Sequence, residues 1–98
     1  MTDDLLETLK RTLDEAEWSL LRTHAEERDA LILVELGLDL LEVAVAVASN
    51  RSVQVEEWIQ AGRIGKPTAK QLQEIPPTRK FLCVIVQPFV LAQELILH

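Results

Sequence analysis

The sequence predicts an α+β fold, mostly helical, with four or five helices and a small two-stranded sheet over residues 30–35 and 80–87. Capping-box tetrads at Asp39–Glu42 and Thr68–Gln71 mark two helix starts. Two short apolar runs, Ala30–Val34 and Lys80–Val86, are bounded by charge, glycine or proline and read as strands. The composition, 48% hydrophobic and 27% charged, is that of a globular chain, and 98 residues suit one domain over 1–98. Two strands alone are marginal, and their open edges invite a second copy of the chain to complete the sheet.

Leu6, Leu9, Leu13, Ala16 and Leu20 recur in heptad rhythm beside Leu5, which predicts one helix from about Asp3 into the twenties. The stripe is too short for a coiled coil, so this helix faces a core. Trp18 and Leu21 fall off it. Either the helix bends near Thr12, where Thr12-Leu13-Asp14-Glu15 reads as another capping box, or it touches two neighbours.

After the Ala30–Val34 strand, Asp39 stands as N-cap with Leu38 and Val43 placed as a hydrophobic staple. A good cap contributes about 1 kcal/mol, which tips the Val/Ala alternation that follows towards helix. With hardly a polar residue from Leu40 to Ala48, that helix is expected to be buried nearly all round. Val55, Trp58 and Ile59 form the next apolar face, and Gly62 is a natural C-cap. Thr68 opens a short helix that turns Leu72 and Ile75 inward, and Pro76-Pro77 ends it. Pro88 ends the Lys80–Val86 strand. Beyond it, Phe89, Ala92, Leu95 and Ile96 favour a helix over residues 89–97, against the strand that Phe89-Val90-Leu91 would suit.

Thirteen of the seventeen residues from Phe81 to Leu97 are apolar, but Gln87, Pro88, Gln93 and Glu94 interrupt them. A membrane helix needs about 20 apolar residues, so the run reads as core or interface. The start is acidic, where a secretory signal would be basic and then apolar. Cys83 is the single cysteine, so no intrachain disulfide forms. Both features point to the cytoplasm. Within Phe81–Val86 the thiol reads as a small, inert, buried hydrophobe.

The net charge of −6 argues against nucleic acid as a partner, since phosphate binding draws on a basic face. The charge is also uneven. Residues 1–42 hold twelve acids and four bases, whereas Arg63, Lys66, Lys70, Arg79 and Lys80 face only Glu74 between residues 63 and 80. Either the acidic half lies beside this basic stretch, in the fold or in a second copy, or the bases form a small anion site.

Chemistry-bearing patterns are few. Gly62–Thr68 fails as a phosphate loop, because its glycines are three apart and Pro67 splits Lys66 from Thr68. His24 is the only internal histidine, and with Glu27 it offers two ligands, too few for a metal. No metal, no cofactor and no catalytic residue is predicted. The candidates for ligand contact are His24, Arg28 and Asp29 before the first strand, Gln87 in the apolar run, and Lys66, reaching them across a dimer interface. The plainer reading of His24 is a helix-end side chain pairing with Glu27 or Asp29.

The order of motifs resembles a small bacterial family known as domain of unknown function 2288. Glu17-Trp18, His24, Arg28 to Val34, Leu38 to Ala44, Trp58-Ile59 and Lys66-Pro67-Thr68 carry the resemblance, together with Ile85-Val86-Gln87-Pro88-Phe89-Val90-Leu91. The tail motif Val86–Leu91 is the most specific of these, and the sequence departs from the pattern at Ser49-Asn50-Arg51. The resemblance implies a bacterial cytosolic protein and no activity. The functional expectation is therefore a non-catalytic homo-oligomer, a dimer for preference, that works through protein contacts. The alternative is a small ligand-binding protein or enzyme with its site around His24, Arg28, Asp29 and Gln87.

Overall fold

A computed structural model describes Thr2–Ile96, with side chains from Asp4 onward. The described residues form five helices and five strands. They run α1 (Thr2–Arg11), β1 (Asp14–Glu17), α2 (Trp18–Arg28), β2 (Leu31–Val34), α3 (Leu40–Ala48), α4 (Ser52–Gln60), β3 (Ile64–Gly65), α5 (Ala69–Glu74), β4 (Lys80–Val86) and β5 (Phe89–Glu94). The strands form one mixed sheet in the order β1-β4-β5-β2-β3. β4 and β5 are an antiparallel hairpin with Val86 opposite Phe89, and β5 runs parallel to β2 with Leu31 opposite Val90. The edge strands β1 and β3 pair antiparallel with β4 and β2.

The α+β class holds, but the sheet has five strands where two were expected. Three elements account for the difference. The stretch expected as a helix over residues 89–97 is the strand β5 through Glu94; Leu97 and His98 lie outside the described residues. β5 is flanked by a strand on each side and covered by helices on both faces, so its residues show no alternation. A short apolar run of that kind carries no period by which to tell strand from helix. The two-residue turn Gln87-Pro88, whose peptide bond is cis, sends the chain straight back along β4.

The N-terminal heptad stripe is likewise broken. α1 ends at Arg11, and four residues of strand intervene before α2. Thr12 caps no helix. Its hydroxyl donates to the Leu9 carbonyl and accepts from the Ile85 amide at 3.1 Å, continuing the ladder beyond β1. Asp14-Glu15-Ala16-Glu17 has poor strand propensity, yet it pairs with β4 along its whole length, with Lys80 opposite Glu17. This insertion resets the helical phase. Trp18 and Leu21 are therefore the buried residues of α2, while Leu20 is 60% exposed. The first amides of α2 find no side-chain cap; Trp18 and Ser19 donate to the Arg79 and Pro77 carbonyls.

Elsewhere the local signals hold. Asp39 Oδ1 accepts from the amides of Leu41 and Glu42, and Thr68 and Gln71 form a complete capping box. Gly62 ends α4 with φ of 73°, a left-handed conformation that costs glycine little. Val43, Ala44 and Ala46 of α3 are almost wholly enclosed.

The sheet divides the core in two. On its first face Val34, Val84, Val86 and Leu91 meet α1, α3 and α4 through Leu9, Val43 and Trp58. On its second face Leu31, Phe81, Cys83 and Ala92 meet Trp18 and Leu21 of α2, with Leu72 of α5 and its C-cap Ile75 packed beside them. The Trp18 and Phe81 rings lie 5.3 Å apart. Leu91 is fully enclosed at the middle of this arrangement. Leu91→Ala is expected to cost about 2–5 kcal/mol. Ile85→Ala, at a site 45% exposed, is expected to cost less than about 1 kcal/mol. Urea unfolding midpoints of the two variants measure the contrast, and equal shifts would contradict the placement of β5.

Candidate functional site

The helices leave two hollows, one on each face. α5 has six residues and covers only part of the second face. Beside it opens a cleft of about 500 Å³. Its floor is Leu33 of β2, Ala92 of β5 and Phe81 of β4, and Ile75 and Gln71 form a wall. Gly65 of β3 lies opposite Leu33 in the register, so a side chain at 65 would project over the same floor. A Cβ there would meet nothing within 4 Å.

Charged residues border the cleft. Glu35 and Glu94 are the next residues after the paired Val34 and Gln93 on neighbouring strands. Each acid has an arginine partner: Arg63 Nε donates to Glu35 Oε2 at 2.7 Å, and Arg79 Nη1 donates to Glu94 Oε1. The loop that carries Glu35 is held from beneath by Gln93, whose amide donates to the carbonyls of Glu35 and Leu38 at 2.9 and 2.6 Å. Lys66 also borders the cleft, and its Nζ donates to Asp29 Oδ2 at 2.7 Å.

On the first face a second hollow of about 300 Å³ is almost wholly apolar. Ile32, Phe89 and Leu91 of the sheet, Val47 of α3, and Val55 and Ile59 of α4 line it. Ile59 was expected to face inward with Trp58. It is 52% exposed at the rim, while Trp58 is buried.

Of the residues singled out from sequence, Asp29 and Lys66 come together within one chain, without a second copy. Asp29 caps α2 in a left-handed conformation, with φ of 52°. Arg28 is exposed at the last position of α2, and His24 is half-buried one turn earlier. The Asp29 carboxylate therefore serves Lys66, not His24. Gln87 is exposed in the β4–β5 turn. The amide of Val90 donates to the Ala30 carbonyl, so this turn lies at the end of the sheet where α2 leads into β2. The glutamine that satisfies backbone carbonyls is the half-buried Gln93. Among the described residues no three His, Cys, Asp or Glu side chains cluster to hold a metal. No described helix is long and apolar enough to cross a membrane.

The acidic half does lie beside the basic stretch. Glu17, Asp29 and Glu35 pair with Lys80, Lys66 and Arg63. All six side chains are well exposed, so each pair is worth about 0–1 kcal/mol and is readily exchanged for another partner.

The family model for proteins of unknown function numbered DUF2288 matches residues 4–94. The chain belongs to the DUF2288 family. This agrees with the resemblance carried by the Val86–Leu91 motif, which forms the end of β4, the turn and the start of β5. The NMR solution structure of PA1075 from Pseudomonas aeruginosa is similar to this DUF2288 chain. It has 29% sequence identity and a TM-score of 0.76, and the match covers 96% of this chain and 92% of that one. No curated protein matches the chain.

Sequence reasoning missed Glu35 and Glu94; Arg63 entered only as one base of a possible anion site, and Gly65 only within the rejected phosphate loop. β3 is two residues long, too short for any periodicity, and Glu94 was read as part of a helix. The one available signal was a glycine flanked by Arg63-Ile64 and Lys66 in a segment with no turn.

Cys83 of this DUF2288 chain is buried beneath α2, and enclosure, helped by the nearby Asp14 charge, pushes its thiol up to about 11 from an ordinary 9.0. The folded form thus holds the proton that the unfolded form gives up first. This contribution to stability is complete below pH 9.0 and is lost as pH rises towards 11. Native protein at pH 8 is expected to resist a thiol-specific disulfide reagent, and urea-unfolded protein to react at once. Rapid labelling of the native protein would contradict the burial.

Proposed function

We propose that this protein works by contact with polypeptide and not by chemistry on a substrate, and that its first partner is a second copy of itself. The apolar hollow between α3, α4 and the sheet carries the reading, because it leaves Ile59, Val55 and Phe89 with no covering element. A two-fold interface meets its own image, so the surface must be complementary to itself. An apolar surface meets that condition. At a net charge of −6, most of the remaining surface repels its copy.

The sheet edges favour this route over strand addition. β1 presents three acids in four residues, and β3 has only two residues, followed closely by Pro67. Charge, short length and proline all discourage edge pairing. In this reading the protein acts in the bacterial cytoplasm and uses no cofactor.

Sedimentation velocity tests the proposal. Wild-type protein is expected at twice 11.1 kDa. Ile59→Glu, which places a charge on an exposed rim, is expected at the single-chain mass with an unchanged circular dichroism spectrum. A wild-type monomer at every concentration, or an Ile59→Glu dimer, would contradict it.

The second reading, a ligand-binding protein, is favoured by a different observation, the cleft on the second face.

A further inference from the structure

We propose that the cleft on the second face binds a small zwitterion with an apolar body, of which an apolar α-amino acid is the simplest case. The inference is independent of the dimer contact, which uses the opposite face of the sheet.

Size comes first. Small-molecule sites are hollows of roughly 300–1,000 Å³, mostly apolar, with a few polar groups that fix orientation. At about 500 Å³, with Leu33, Ala92 and Phe81 as floor, this cleft has that form.

Gly65 is the second observation. It is in a strand, where glycine loses backbone entropy and packs no side chain. It has no positive φ to require glycine, and no atom of this chain stands where its Cβ would be. The fold itself therefore gives no reason for a glycine. A strand glycine commonly marks a place where a ligand or another backbone comes close. No other backbone of this chain does so here, and the missing side chain would lie over the Leu33–Ala92 floor.

Charge selects the class. The border of the cleft carries Arg63 beside Glu35, and Glu94 beside Arg79. A ligand with only a carboxylate would face Glu35 and Glu94, and one with only an ammonium group would face Arg63 and Lys66. A ligand with both charges a few atoms apart matches a margin of both signs and adds no net charge. Its carboxylate would take the Arg63 guanidinium, which donates only Nε to Glu35 among the described residues. Its ammonium would lie against Glu94, and its side chain over Leu33, Ala92 and Phe81. The ion pairs it displaces are exposed and weak, and the new charge-assisted bonds would form under the cover of the ligand's own apolar body.

Two-dimensional amide NMR of the 15N-labelled full chain tests the proposal, with leucine and phenylalanine as probes at millimolar concentration. Both are expected to move the amides of Leu33, Gly65 and Ala92. N-acetyl-leucine, which keeps only the carboxylate, and leucinamide, which keeps only the ammonium, are expected to bind at least about tenfold more weakly. Gly65→Val should leave the rest of the spectrum in place and abolish the shifts; Gly65→Ala, a smaller filling, should weaken them. Arg63→Gln should weaken leucine by about tenfold or more. The proposal is overturned if neither amino acid moves those amides in the wild type. It is also overturned if the acetyl or amide derivative binds as well as leucine, or if leucine binding survives Gly65→Val.

Discussion

The β4–β5 hairpin is the constraint on which the other contacts depend. β4 carries β1 on its outer edge, and β5 carries β2 and, through it, β3. Without β5 the sheet would separate into two marginal ribbons. The hairpin also supplies both halves of the core, because alternate residues go to opposite faces. Val84 and Leu91 go to the α3 side, and Cys83 and Ala92 go to the α2 side. A chain of 98 residues has little surface to spare for burial. Strands packed on both faces allow Phe81, Cys83, Val84, Val86, Leu91 and Ala92 of the apolar C-terminal run to be enclosed within one molecule.

The local elements were legible wherever the instruction lies within a few residues. Asp39 and Thr68 cap their own helices, Gly62 ends α4 in a conformation that glycine tolerates, and Pro76-Pro77 stop α5. The errors fall where the instruction comes from far along the chain. α2 begins on the carbonyls of Pro77 and Arg79, so no cap precedes Trp18 in the sequence. The acids of β1 become a strand because β4 offers them a ladder, Lys80 lies opposite Glu17, and the Thr12 hydroxyl meets Ile85. β5 hid its period because both of its faces are covered. The candidate site was less legible still. Asp29 and Lys66, both singled out from the sequence, meet across the fold. The cleft margin, in contrast, draws Glu35, Arg63 and Glu94 from the ends of three strands or the residues next to them, and two of those strands were unrecognised.

The two faces of the sheet differ in chemistry as well as in packing. The first face ends in an apolar hollow with a half-exposed isoleucine at its rim, a surface suited to another polypeptide. The second ends in a cleft where exchangeable ion pairs surround an apolar floor, a form suited to a small molecule. Three acids of the first half, Glu17, Asp29 and Glu35, pair with Lys80, Lys66 and Arg63 of the basic stretch. Membership of the DUF2288 family and the likeness to PA1075 place this sheet in a shared fold.

The account stands on residues 89–94 being the strand that joins the two halves of the sheet. Amide hydrogen exchange tests this most directly. The Val90 amide, bonded to the Ala30 carbonyl, and those of Leu91 and Ala92 are expected among the slowest in the chain, exchanging only on global unfolding. Carbon chemical shifts read on the same sample should be those of a strand. Fast exchange over residues 89–94, or helical shifts there, would contradict the account and return the tail to the helix that its spacing first suggested.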